Sequence, residues 1–62
     1  MSINIERYYR AHQRQPRGRG NWAFSDRAEQ RIQFFFGTYT EARKQAIQWA
    51  KQNGIEVLYL LS

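Results

Sequence analysis

The chain of 62 residues contains no cysteine, a single proline and no long hydrophobic run. The lack of cysteine excludes disulfide bonds, thiolate metal sites and cysteine nucleophiles, and it fits a reducing compartment. The longest apolar run, residues 57–61, is far too short to cross a bilayer. The opening residues 1–15 also lack the apolar core of a signal peptide. We therefore expect a cytoplasmic location and no membrane partner.

Acidic residues are scarce, with five against ten lysines and arginines, which gives a net charge of +5. The excess lies almost entirely in residues 1–20, where five arginines face one glutamate for a net charge of +4. A basic segment of this kind predicts a polyanionic partner. The five arginines are Arg7, Arg10, Arg14, Arg17 and Arg19.

The clearest secondary-structure signal is a helix over residues 38–53. Thr38 and Glu41 have the spacing of a capping box, in which each side chain accepts a hydrogen bond from the other's backbone. Apolar residues then recur at steps of three and four. Asn53 and Gly54 follow, and glycine readily adopts the left-handed conformation that ends helices.

Short runs rich in aromatic and branched residues predict strands on both sides of this helix, at 21–25, 31–37 and 55–61. A five-residue hairpin loop, 26–30, joins the first two. Alternation puts Trp22 and Phe24 on one face of the first strand. In the second strand it places Ile32, Phe34 and Phe36 towards the core, whereas Arg31, Gln33 and Phe35 share the opposite face.

Together these elements predict an α+β fold with a single small ββαβ domain at residues 21–62. Its three-stranded sheet packs on one helix. The last strand is expected beside the first, which would make the sheet antiparallel, although a crossover to the second strand is also open. Residues 1–20 form either a basic arm or, at residues 3–13, a short helix over the sheet.

The titratable residues do not support catalysis, a metal site, a cofactor or a small-molecule substrate. A catalytic mechanism needs several groups that converge, and His12 stands alone in the basic segment. Asp26 and Glu29 fall in the predicted hairpin loop, where such residues commonly form turns. We therefore expect a protein that is not an enzyme.

The Arg-rich segment is the best candidate for function. Guanidinium groups present planar donor forks that suit phosphate oxygens. Pro16-Arg17-Gly18-Arg19 resembles the core of the AT-hook, a minor-groove DNA-binding motif, although Gly20 stands where that motif has proline. The alternative is a basic tail that only raises solubility.

A second resemblance covers about residues 17–53. Gly20-Asn21-Trp22-Ala23-Phe24 and Phe35-Phe36-Gly37-Thr38-Tyr39, followed by Thr40-Glu41-Ala42, resemble the DNA-binding domain of plant ethylene-response factors and the arm-binding domain of phage integrases. In these domains a helix backs a sheet whose strands enter the major groove. The chain departs from them in lacking a strand before Trp22, in being one residue short between Thr38 and Glu41, and in adding a strand after the helix.

This resemblance implies that the sheet face opposite the helix meets DNA. Arg31 and Gln33 would then read base edges, and the basic arm would bind phosphates. Phe35 on the same face could instead stack on unpaired bases, so RNA and single strands stay open beside duplex DNA. The small size and high basicity of the chain would suit a phage or plasmid accessory protein.

The competing prediction is a protein–protein interaction module, either a homodimer or an adaptor or inhibitor of a larger protein. A folded part of about 40 residues is near the size at which domains usually need disulfide bonds, a metal ion or oligomerisation to be stable. Phe35, Leu58 and Leu60 would form the apolar patch that such a partner covers. The amino-terminal helix could equally cover this patch within one chain.

Overall fold

A computed structural model describes residues 1–61 of the chain. Two helices and four strands follow one another in the order βαββαβ. The bounds are β1 Ser2–Asn4, α1 Glu6–His12, β2 Arg19–Ser25, β3 Ile32–Thr38, α2 Tyr39–Gln52 and β4 Val57–Leu60. The predicted α+β class is therefore confirmed.

The four strands form one mixed sheet in the order β1-β4-β2-β3. Strand β4 lies beside β2 and antiparallel to it, as expected, and β2 pairs antiparallel with β3. The predicted three-stranded sheet is incomplete, because β1 adds a fourth strand parallel to β4. Strand β3 lies at the end of this order and is therefore an edge strand.

Helix α2 begins and ends where capping chemistry places it. Thr38 Oγ1 accepts a hydrogen bond from the Glu41 backbone N–H at 3.2 Å, and Glu41 Oε1 accepts one from the Thr38 backbone N–H at 3.0 Å. After Gln52 the chain turns away, and Gly54 has a φ of 68°. This left-handed conformation costs glycine little, so the chain can enter β4 directly.

The core lies between α2 and one face of the sheet. Phe24, Leu58 and Leu60 are fully buried, and they share a cluster with the inward-facing alanines of α2. These are Ala42, Ala46 and Ala50. Such small side chains let the helix approach the sheet closely, so the aromatic rings fill the remaining space. The proposed apolar patch of Phe35, Leu58 and Leu60 is therefore wrong, since both leucines belong to the core.

The face of β3 that packs on α2 is the opposite of the predicted one. Trp22 is paired with Phe35, and directly opposed residues of an antiparallel pair share a face. Phe35 thus joins Trp22 and Phe24 on the helix side, where its ring lies 6.1 Å from that of Trp49. The other face carries Ile32, Phe34 and Phe36, which are 44%, 61% and 65% exposed.

The hairpin loop explains this inversion. A loop at 26–30 would pair residue 25 with residue 31 and set Phe34 opposite Trp22. The observed pairing instead joins Ser25 to Ile32, so the loop contains six residues. Asp26 organises it, because its Oδ1 accepts from the Gln30 backbone N–H at 2.9 Å. A shift of one residue moves every side chain of a strand to the other face.

The amino-terminal segment is part of the fold. The predicted helix at 3–13 is corrected to a strand followed by a shorter helix, with Asn4 Oδ1 accepting from the Glu6 backbone N–H at 2.9 Å. Tyr8 of α1 is buried, and its ring lies 5.5 Å from that of Trp22. Helix α1 contacts β4, so residues before β2 contribute to the hydrophobic core.

Candidate nucleic-acid interface

A groove of about 350 Å³ lies beside the loop between α1 and β2. Three arginines line it, namely Arg14, Arg17 and Arg19. Asn21 and Phe34 belong to the same lining, so the groove reaches from the basic loop onto strands β2 and β3. Positive charge and an exposed aromatic ring thus meet at one surface.

The loop that carries these arginines is held at both ends. Gln13 ends α1 in the left-handed conformation, with its backbone N–H donating to the Tyr9 carbonyl. Gly18 has a φ of 89°, and its carbonyl accepts a hydrogen bond from the Tyr39 backbone N–H at 3.0 Å. The AT-hook-like segment is therefore fixed to the start of α2, with a glycine where the backbone requires a positive φ.

The remaining predicted arginines have partners within the chain. Arg7 forms an ion pair with Glu29, and Arg10 lies 3.9 Å from Glu6 one helical turn away. Arg31 Nη1 donates to the Asn53 carbonyl at 2.7 Å, at the end of α2.

Arg14, Arg17 and Arg19 differ from these arginines. Within residues 1–61, none of the three has a salt bridge or a side-chain hydrogen bond. Their guanidinium donors therefore have no acceptor among the residues that the structure describes, and phosphate oxygens match their geometry.

The outer face of the hairpin places one of these arginines beside the exposed phenylalanines. Arg19 is paired with Thr38, and Asn21 with Phe36. Because side chains alternate along a strand, Arg19, Asn21, Phe34 and Phe36 all lie on the face away from the core. Phe34 is paired with Ala23, whose methyl group is too small to cover a phenyl ring.

The expected base-reading residues do not reach this surface. Arg31 precedes β3 and caps α2, and Phe35 packs against Trp49. Gln33 is paired with Phe24 and so points to the side of the sheet on which α2 lies. The placement of these three residues on the face opposite the helix is therefore wrong.

Sequence reasoning missed Phe34, Phe36 and Asn21 as members of the surface. Alternation did group the two phenylalanines correctly, because it put them on one face of β3. It assigned that face to the core, and only the hairpin register could have shown otherwise.

One acidic group lies near the arginine groove. The pKa of Glu41 is lowered mainly by the hydrogen bond from the Thr38 backbone and next by the Thr38 hydroxyl, with a smaller contribution from Arg19. Its carboxylate therefore stays ionised at neutral pH, and it is already engaged in capping α2. Burial raises the pKa of Tyr39, which keeps this phenol neutral as it packs on Trp22 at 5.0 Å.

His12 also lines the groove, and its ring lies 4.2 Å from that of Tyr8. Within the described residues 1–61, no three histidine, aspartate or glutamate side chains group closely enough to hold a metal ion. In the same part of the chain, neither helix has the length and apolar character that a membrane span requires.

Comparison with known proteins gives no relative from which a role can be taken. No protein-family model matches the chain, and neither a curated protein nor a solved structure matches it. The resemblance to ethylene-response-factor and integrase arm-binding domains therefore stays a prediction. The function has to be argued from the surface itself.

Proposed function

We propose that the protein is a small, non-enzymatic nucleic-acid-binding protein of the cytoplasm and that its ligand is DNA. One observation carries this proposal: Arg14, Arg17 and Arg19 line one groove together with the exposed Phe34. Within residues 1–61, none of the three guanidinium groups has a salt bridge or a side-chain hydrogen bond, and Arg19 makes only a minor contribution to the lowered pKa of Glu41. A surface with cationic donors and an exposed apolar ring suits a ligand that has phosphates and bases.

The arginines supply the phosphate contacts in this mechanism. A guanidinium group can offer two parallel N–H donors to a phosphate, and the attraction is long-ranged at low salt. The net charge of +5 adds to this attraction, and it favours fast association with a polyanion. Arg7, Arg10 and Arg31 contribute to the overall field. The side chains of Arg7 and Arg31 also donate hydrogen bonds within the chain, and that of Arg10 lies 3.9 Å from Glu6.

A second candidate function rests on the edge strand. Strand β3 has a free edge, and its outer face shows Ile32, Phe34 and Phe36 to solvent. Free strand edges readily pair with another chain, so a homodimer through β3 is the alternative. It is disfavoured by charge, because each copy carries +5 and both copies would place their arginine grooves near the contact.

The test is fluorescence anisotropy with labelled duplex and single-stranded DNA over a range of salt concentrations. Contacts from three arginines predict that log affinity falls against log salt with a slope of about −2.7 for duplex and about −2 for a single strand. Arg17→Ala/Arg19→Ala should weaken binding and make this slope shallower.

The matched control is Arg43→Ala/Lys44→Ala, which removes the same charge from exposed positions of α2. It should change affinity much less than the groove variant. Equal losses from both pairs would reduce the interaction to net charge and contradict a defined groove. No binding at low salt would refute the proposed function.

A further inference from the structure

We infer that the ligand is single-stranded DNA, whose bases stack on Phe34 and Phe36 while its phosphates lie at the arginine groove. This inference rests on the proposed function and specifies the kind of nucleic acid that the protein binds. It is drawn from the outer face of the hairpin, which is the side of β2 and β3 away from the core, with Arg19, Asn21 and Ala23 on β2 and Ile32, Phe34 and Phe36 on β3.

The two rings are open and suitably spaced. Phe34 is 61% and Phe36 65% exposed, which is unusual for the largest apolar side chains of a strand. They are two residues apart, so their attachment points are about 6.8 Å from each other along β3. Adjacent nucleotides of an extended single strand can reach such a separation, so each ring can receive one base.

Small cross-strand neighbours keep the rings accessible. Phe34 is opposite Ala23, and Phe36 is opposite Asn21. In an antiparallel pair these positions lie within about 5.5 Å, and a large side chain there would cover the ring. Alanine and asparagine leave the π-faces available to a planar ligand.

The rings continue directly into the basic groove. Arg19 is paired with Thr38, which lies two residues from Phe36. The Arg19 side chain therefore lies on the same outward face as Phe36. Phe34 itself belongs to the lining of the groove that Arg14 and Arg17 complete. Base-stacking and phosphate-binding groups are therefore neighbours, which is the combination that single-strand binders use.

A duplex would use this face poorly. Its bases are already stacked on one another, so a strand that crosses the hairpin would present phosphates and sugars to Phe34 and Phe36. Contact with these polar groups would stabilise the complex little, because the phenyl rings are apolar. An unpaired strand can turn its bases onto the rings, and every base has a π-face to offer.

The polar groups on the face favour DNA over RNA. Recognition of RNA commonly includes hydrogen bonds to the 2′-hydroxyl. Beside the two rings, the outer face carries Asn21, Arg19 and Thr38 as polar side chains. Arg19 is assigned to phosphate, and the Thr38 hydroxyl is engaged with Glu41. Ala23 and Ile32 offer no hydrogen-bonding side chain, so the face is suited to stacking.

The experiment measures binding of a labelled 12-nucleotide pyrimidine DNA strand, the same sequence as RNA, and the corresponding DNA duplex. Phe34→Ala and Phe36→Ala should each weaken single-strand binding by roughly 5- to 150-fold, the range for losing one stacked base. Duplex binding should change little. Phe34→Tyr should keep most of the affinity, whereas Phe34→Leu should lose it, because leucine is apolar but has no π-face.

Ile32→Ala is the matched control, since Ile32 lies on the same face of the same strand and is 44% exposed. It should leave affinity within about twofold. Circular dichroism of every variant identifies any loss of fold. Phe34→Leu and Phe34→Tyr also keep a large side chain at position 34, so they test stacking without removing the bulk of the ring.

Three results would overturn the inference. The first is unchanged single-strand affinity in both alanine variants while Arg17→Ala/Arg19→Ala still weakens binding, which would leave the proposed function intact. The second is tenfold tighter binding of RNA than of DNA. The third is a dimer by sedimentation that Phe34→Ala converts to a monomer without changing binding, because the face would then serve self-association.

Discussion

Three consecutive phenylalanines in β3 provide a sharp test of the structure, because only the middle one faces the core. Phe35 packs between Phe24, at 6.2 Å, and Trp49, at 6.1 Å, measured between ring centroids. Phe34 and Phe36 are 61% and 65% exposed. Replacing each in turn by alanine should therefore destabilise the protein most at position 35.

The expected magnitude follows from burial. Truncating a fully buried phenylalanine to alanine costs about 3–5 kcal/mol, and Phe35 is only half-buried. Scaling this cost by the buried half of the ring gives a loss of about 1.5–2.5 kcal/mol in the free energy of unfolding for Phe35→Ala. The contacts with Phe24 and Trp49 are already included in that range. A chain of this length has roughly 3–9 kcal/mol in total. Phe34→Ala and Phe36→Ala should each cost less than about 1 kcal/mol, mostly through β-propensity.

Urea denaturation followed by circular dichroism measures these differences. With an m-value of about 1 kcal/mol/M for a small domain, the midpoint should fall by about 2 M in Phe35→Ala and by less than 1 M in the other two variants. A larger fall in Phe34→Ala or Phe36→Ala than in Phe35→Ala would refute the observed register. It would also remove the basis for base stacking on the outer face.

Two further predictions concern polar groups. Because hydrogen bonds from Thr38 lower the pKa of Glu41 from its ordinary value of 4.5, its stabilising contribution should be present above that value and lost as pH falls through the folded-state pKa. Glu41→Gln should thus be less stable than the parent at about pH 7, and the difference should shrink as pH falls below about 4.5, as measured by thermal unfolding. Ser25 is fully buried, and its hydroxyl has no hydrogen-bond partner within residues 1–61. Ser25→Ala should leave stability unchanged or raise it, since it removes an unsatisfied polar group, and a clear loss in urea denaturation would contradict this.

Local signals in the sequence were sufficient for α2 and for part of the core. The capping box of Thr38 and Glu41 and the turn at Gly54 depend on residues only a few positions apart, and the structure confirms all of them. Trp22 and Phe24 were also placed correctly on the core side. In these cases hydrophobic periodicity and backbone capping lead to the same answer.

Strand β1 could not be predicted in this way. It has three residues, Ser2–Asn4, which are too few to show an alternating pattern. Its partner β4 lies at the other end of the chain. A short segment of this kind becomes a strand because Ile3 is paired with Leu58 and packs on the core, so its structure is determined by tertiary contacts.

The face of β3 that meets the core could not be predicted because it depends on the register of the hairpin. Alternation offered one side with Ile32, Phe34 and Phe36 and another with Arg31, Gln33 and Phe35, and burial of the more apolar side is the favourable choice for an isolated strand. Pairing of Trp22 with Phe35 instead decided the outcome. That pairing follows from a hairpin loop of six residues, which Asp26 stabilises by accepting hydrogen bonds from the Gln30 and Arg31 backbones.

This choice of face connects the fold with the proposed function. A chain selected only for stability would gain by covering Phe34 and Phe36, and one residue less in the hairpin loop would turn them inwards. The protein instead keeps two large rings in solvent, on the same face as Arg19 and next to the groove of Arg14 and Arg17. Places where a sequence departs from the most stable local arrangement are expected at functional sites. The exposed phenylalanines are such a departure, and the proposed ligand, with phosphates and unpaired bases, would account both for them and for the arginines of the groove.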